Sequence, residues 1–308
     1  MKDKPSNVAA SVSSRLRNIA REKKTDYQLI LRRYAIERLL QRLSQSSYRD
    51  QYVLKGAMLF TVWLNDPFRP TQDLDLLGFG ESTTSAIETA FKAICDVPSE
   101  QDGLAFDQAG LNAEPIREDQ AYGGVRVKTK ALLGKTQIPV QIDIGFGDAI
   151  TPAAQTLEFP ALLSSEGPRL KAYPRETVVA EKLQAIVALG IANSRMKDFY
   201  DLLALSRLFE FQGELLTKAI RATFKRRRTS LPTETPVGLS DAFARNGEKA
   251  KQWAAFTGRE TLLVPVSSLE EAIELISAFV SAPLEAAASS ERFEKVWVDG
   301  GPWKLSAR

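Results

Sequence analysis

The sequence predicts an α/β protein: a sheet flanked by helices, followed by a mainly helical carboxy-terminal region. Three stretches carry that reading. Residues 123–148, "GGVRVKTKALLGKTQIPVQIDIGFGD", alternate apolar and polar side chains with period two, as half-buried strands do. Residues 71–80, "TQDLDLLGFG", form a shorter strand with two aspartates set into an apolar run. From residues 173–190, "YPRETVVAEKLQAIVALG", the apolar spacing changes to three and four, the spacing of a helix.

Taken in order, Leu29, Ile30, Tyr34, Ile36, Leu39, Leu40 and Leu43 keep helical spacing, so the chain opens with helices before its first strand. Residues 52–64, "YVLKGAMLFTVWL", read as a short strand, a tight turn at Gly56 and a buried helix, which "PFRP" ends. The strand with Asp73 and Asp75 follows, then a helix over residues 84–95. Gly123 and Gly124 precede one strand, and Gly134-Lys135 turns it into a hairpin. Val178, Val179, Leu183, Ile186 and Val187 stripe a helix that Gly190 stops, and a second begins near Met196 with Phe199, Leu202, Leu203 and Leu205 apolar. Residues 228–240, holding Pro232 and Pro236, read as a linker. Residues 241–256 and 268–286 read as helices, and Trp297 and Trp303 as packing anchors of the tail. The expected divisions are a helical segment at 1–50, a catalytic core at 51–165 and a helical domain at 166–308.

Composition narrows the chemistry. The 308 residues are 44% hydrophobic and 26% charged, the balance of a folded globular chain. There is no histidine and one cysteine, Cys95, which excludes an internal disulfide framework and histidine catalysis. Acid and base chemistry falls to carboxylates, lysine or tyrosine. No apolar run approaches a bilayer span and the first twenty residues lack the core of a signal peptide, so the expectation is a cytoplasmic protein with no membrane partner. The net charge of +3 is small, but it is unevenly spread. Residues 1–33 hold nine basic against three acidic residues, and "IRATFKRRR" holds Arg221, Lys225, Arg226, Arg227 and Arg228 with no acid. Each region suits a phosphate backbone or a solvated helix face.

Asp73 and Asp75 lie on one face of their strand and Leu74 and Leu76 on the other. Neighbouring carboxylates repel, and burial penalises each, unless a positive charge sits among them. A hard divalent cation such as Mg2+ meets that need while keeping positions for water and phosphate oxygens. The alternative is a solvated strand end. Asp143 lies on the face opposite Val140, Ile142 and Ile144. If its strand pairs beside the first, three acids from two strands form a two-metal site. Downstream, Lys182 falls on one helix and Lys197, Asp198 and Asp201 on the next, where a Lys197–Asp201 surface pair is the plain expectation.

Lys55-Gly56, Thr71-x-Asp73-x-Asp75, Asp143 on a strand, "AEKLQAI" and "RMKDFYDL", in this order over residues 50–205, resemble the AbiEii/AbiGii nucleotidyltransferase-like toxins, which include the MenT toxins. The resemblance implies a polymerase-beta-like nucleotidyltransferase sheet flanked by helices, with two Mg2+ ions and a nucleoside triphosphate as substrate. It assigns the metals to Asp73 and Asp75 and the nucleotide to Lys55, Gly56, Thr71 and Lys182, with Asp198 as the carboxylate on the following helix, while Asp143 either orients a metal or deprotonates the acceptor 3' hydroxyl. Arg69 is a candidate second cation near the acids. Where relatives carry Gly-Gly-Thr or Gly-Ser, this chain has Gly56-Ala57-Met58, so a side-chain hydroxyl for the triphosphate is missing there.

The function implied is transfer of a nucleoside monophosphate to an RNA acceptor, the tRNA 3' end, by the toxin of a toxin–antitoxin or phage-defence (abortive infection) pair with a cognate antitoxin. Lys225, Arg226, Arg227 and Arg228 are the expected RNA contacts. Two other readings remain at this stage: transfer to a protein or small molecule, and a catalytically silent nucleic-acid-binding protein.

Overall fold

Strands whose apolar side chains alternate must bury one face together, and that requirement organises the amino-terminal half of the chain. The computed structural model describes residues 5–64, 73–99, 102–116, 123–258 and 262–305, with the backbone alone for residues 5–7. The chain divides into two compact units, residues 1–147 with 155–172, and residues 148–154 with 173–308. The amino-terminal helices thus belong to the unit that carries the sheet.

The first unit runs α1 (Pro5–Glu22), α2 (Tyr27–Gln45), β1 (Tyr52–Lys55), α3 (Met58–Leu64), β2 (Asp73–Gly78), α4 (Thr84–Asp96), β3 (Leu104–Phe106), β4 (Asn112–Ile116), β5 (Gly124–Leu133), β6 (Thr136–Phe146), β7 (Gln155–Glu158) and β8 (Arg169–Ala172). The strands make one mixed sheet in the order β3-β5-β6-β2-β1-β8-β7, with β4 also on β5. β2 lies parallel to β6, the adjacency that a shared acid site requires, and antiparallel to β1. Gly134, at φ +59, turns β5 into β6 in two residues. Leu74, Leu76, Val125, Val127, Val140, Ile142 and Ile144 are buried, and α2 and α4 pack on β5 and β6.

Side-chain caps start the two helices. Asp26 accepts from the Gln28 amide at the start of α2, and Thr83 accepts from the Ala86 amide at the start of α4. Charged residues of α2 tie it to the loops: Arg42 pairs with buried Asp102 and donates to the Leu104 carbonyl, and buried Glu37 accepts from the Leu162 amide and from Arg38. Part of the basic amino-terminal region is occupied in the same way. Arg15 donates to the Leu163 carbonyl at 2.7 Å, and the Arg17 guanidinium lies over the Tyr27 ring.

The second unit holds α5 (Arg175–Leu189), α6 (Met196–Leu208), β9 (Phe211–Gln212), α7 (Gly213–Arg226), α8 (Asp241–Ala244), α9 (Gly247–Thr257), α10 (Leu269–Ser289), β10 (Lys295–Trp297) and β11 (Trp303–Leu305). Gly190 ends α5 with φ +49, as expected. The single helix expected over 241–256 is two, because Ser240 and Asn246 each cap a new start. The stretch read as a linker lies within this unit. α7 and the small sheet β11-β10-β9 were not expected from the sequence.

One membrane expectation needs correction: α10 is long and apolar enough, by length and composition, to cross a bilayer. In this fold it is a core helix packed on α6 and α7, with Ile273, Ile276, Phe279 and Val280 buried. Phe279 sits among the rings of Phe211, Trp297 and Trp303 at 4.9, 5.0 and 6.0 Å. Trp297 donates its ring N–H to the Ser206 carbonyl and Trp303 to that of Phe279, so both tryptophans anchor the tail.

Burial pushes the Cys95 thiol on α4 up from 9.0 to about 12, and the Tyr52 hydroxyl on β1 up from 10.0 to about 12. Both groups hold their protons more tightly folded than unfolded. Their contribution to stability is therefore complete below the lower of these values and is lost as pH rises through the folded ones. Urea midpoints are expected to fall steeply between pH 9 and 12, and Cys95→Ala is expected to shallow that fall. The native thiol is expected to resist alkylation at pH 8, and rapid labelling of folded protein would contradict its burial.

Candidate functional site

The hydrogen-bond register of the sheet, more than any single motif, assembles the site. Across the strands, Lys55 pairs with Asp75, Asp75 with Asp143, Asp143 with Arg126, and Arg126 with Glu114. Cross-strand partners share a face, so five neighbouring strands present one charged row. A second row beside it runs Asp73, Gln141, Lys128 and Asn112. The opposite face is the apolar core, which is why these residues alternate so strictly in sequence.

The register sets Asp75 beside Asp143, with Asp73 two residues along on the same face of β2, but Asp143 is engaged. Arg126 donates to both of its oxygens, from Nε at 2.8 Å and from Nη2 at 2.7 Å. The hydrogen bond with Asp143 pushes the Arg126 pKa further up. Burial opposes this, and the charges of Asp143, Asp73 and Glu114 add to it. Glu114 is itself paired with Lys128. Among the described residues no group of three or more acidic, cysteine or histidine side chains is placed to hold a metal. With Arg126 holding Asp143, the described residues do not present the three-carboxylate, two-metal centre expected from the sequence. Asp73 and Asp75 do fit one Mg2+, which commonly takes one or two carboxylates and completes its shell with water and phosphate.

Arg126 is the residue that sequence reading missed. Its signal was available, because a two-residue turn at Gly134-Lys135 fixes the hairpin register and sets Arg126 opposite Asp143.

Gly56 follows β1 at φ +73, and a Cβ there would lie 2.0 Å from Asp75 Oδ2. Only glycine lets the turn sit against that carboxylate. Lys55 stands one residue before it, in the charged row. Arg69 and Thr71 lie outside the described residues.

In the second unit Lys182 of α5 bridges two buried carboxylates of α6, Asp198 at 2.8 Å and Asp201 at 2.7 Å. Asp198 also meets Arg195. Asp201 is fully buried, so its partner is Lys182 and not the exposed Lys197 that helical spacing suggested. A lysine held between two buried acids is first of all a structural contact, since losing either partner strands a charge.

The basic run divides as well. Arg227 turns inward to Asp148, Glu181 and Gln184. Burial pulls its pKa down, and the Glu181 and Asp148 charges more than reverse that. Arg221 caps the end of α10 through the Ala286 and Ala287 carbonyls. Lys225, Arg226 and Arg228 are exposed, which makes them the part of the run accessible to a phosphate backbone.

A surface cavity of about 850 Å³ on the first unit is lined by Tyr48, Tyr52, Phe79, Thr83, Ser85 and Thr89. It lies at the Gly78 end of β2, away from the aspartates, and none of the charged row lines it.

Residues 38–275 match the protein family described as "Nucleotidyl transferase AbiEii toxin, Type IV TA system". A Helicobacter pylori crystal structure, described as that of a candidate nucleotidyltransferase, is similar with a TM-score of 0.51 at 13% identity, covering 87% of this chain and 100% of that one. The crystal structure of JHP933 from Helicobacter pylori gives a TM-score of 0.48 at 15% identity, covering 86% of this chain and 92% of the other. No curated protein matches the sequence.

Gly56→Ala is expected to lower stability by about 1 kcal/mol or more, through its positive φ alone, and to displace Asp75. Urea unfolding together with Mn2+ binding measures both effects. Unchanged values for both would show that the turn does not position the aspartate.

Proposed function

The chain belongs to the AbiEii family of nucleotidyltransferase toxins of type IV toxin–antitoxin systems, and from that premise we propose that it transfers a nucleoside monophosphate from a nucleoside triphosphate to an RNA 3' end, that of tRNA. The observation that carries this reading is the placement of Asp73 and Asp75 on one face of β2, beside Asp143 and clear of the apolar core.

Asp73 and Asp75 would hold Mg2+, and a divalent cation bound there would supply charge neutralisation for the triphosphate and lower the pKa of a nearby hydroxyl. The acceptor 3' oxygen attacks the alpha phosphorus, and the bond to pyrophosphate breaks. Without histidine, the acceptor proton passes to a carboxylate or to water. Gly56 brings the backbone close to the acids, and Lys55 adds a positive charge in their row. Lys225, Arg226 and Arg228 contact the RNA backbone without reading its sequence. The reaction belongs in the cytoplasm, where triphosphates and tRNA meet, and a cognate antitoxin restrains it.

The test incubates total tRNA with each alpha-labelled nucleoside triphosphate and Mg2+, comparing wild type with Asp73→Asn. Label is expected on tRNA from the wild type alone. Label on protein or on a small molecule would move the acceptor to another class. No label from any of the four nucleotides, with folded protein, would favour a silent binding protein.

A further inference from the structure

The proposed reaction gives Arg126, the second cation of the charged row, no task. We infer that Arg126 is a phosphate-binding residue held in reserve by Asp143, and that it exchanges this carboxylate for the triphosphate of the incoming nucleotide. The inference rests on the nucleotidyltransferase reading of the Asp73–Asp75 face.

The geometry supports it in four ways. Arg126 presents Nε and Nη2 together to Asp143, and the same planar fork fits two phosphate oxygens. Its side chain is 33% exposed and that of Asp143 20%, so the pair can open without stranding a charge in the core. Its other registered neighbour, Glu114, is held by Lys128 and does not compete for it. Finally, the charge of Asp73 acts on Arg126, so the guanidinium lies within electrostatic reach of the acids proposed to meet the nucleotide.

The exchange resolves a conflict of charge. Three carboxylates on one face repel a triphosphate, and a free arginine beside them offsets that repulsion where the phosphates arrive. As Arg126 turns to phosphate, Asp143 is released next to Asp75. The third carboxylate that the sheet register aligns becomes available to a divalent cation only once nucleotide is present. Metal and nucleotide affinities are then linked through one ion pair.

The test uses the full chain and two separate probes: inorganic tripolyphosphate by calorimetry without divalent cation, and Mn2+ by electron paramagnetic resonance without phosphate. Arg126→Ala is expected to weaken tripolyphosphate by about tenfold or more, because a charge-assisted bidentate contact is lost. It is expected to tighten Mn2+, because Asp143 is freed. Asp143→Asn is expected to do the reverse for tripolyphosphate and tighten it. Arg126→Lys is expected to fall between, keeping charge without the fork. An arginine that only braces the sheet would weaken both probes together or neither.

Unchanged tripolyphosphate affinity in folded Arg126→Ala overturns the exchange, as does weaker tripolyphosphate binding by Asp143→Asn. If Arg126→Ala does not fold, Arg126→Lys and Asp143→Asn carry the same test. Wild type that binds neither probe overturns the exchange and the reading of the face together. Wild type that binds both, with Arg126→Ala indistinguishable, overturns the exchange alone.

Discussion

Mutual repulsion of carboxylates on one sheet face is the constraint on which the site depends. Two unit charges 4 Å apart interact by about 4 kcal/mol at an effective dielectric of about 20, so Asp73, Asp75 and Asp143 need cations close by. The sheet supplies them by register: Lys55 stands across from Asp75 on one side, and Arg126 across from Asp143 on the other. The apolar face opposite fixes that register, because a slip of one residue would turn Leu74, Ile142 and Val127 outward and the charges into the core. Core packing and site geometry are thus one requirement met by the same strands.

The second unit handles charge differently. Lys182 lies between two carboxylates that α6 keeps out of water, and Arg227 lies between half-buried Asp148 and Glu181. Such buried pairs contribute less to net stability than to a defined arrangement of α5, α6 and α7. The pair in the charged row of the first unit is more exposed, which is the state expected of charges that change partners.

Much of the sheet and of the acid row was legible in the sequence. Period-two alternation located β5 and β6, the Gly134-Lys135 turn set their pairing, and the aspartates interrupting "LDL" marked a polar face. Gly190 and the apolar stripes located α5 and α6. What the sequence hid depended on contacts distant along the chain. Arg126 reads as one of several basic residues on a strand until the register puts it against Asp143. Arg221 and Arg227 read as part of a basic patch until α10 and Asp148 claim them. The short strands β9, β10 and β11 have two or three residues each, too few for any period, and α10 is apolar enough that sequence does not separate a core helix from a membrane span.

The most direct test of the central claim, that the acid row is kept for nucleotidyl transfer and not for folding, is to measure unfolding free energy and transfer rate together in Asp75→Asn. The isosteric amide leaves Gly56 undisturbed and removes one of the repelling charges. The expected result is transfer reduced about a hundredfold or more with stability within about 1 kcal/mol of wild type or above it. A marked loss of stability with transfer intact would contradict the claim and make Asp75 a structural partner of the sheet.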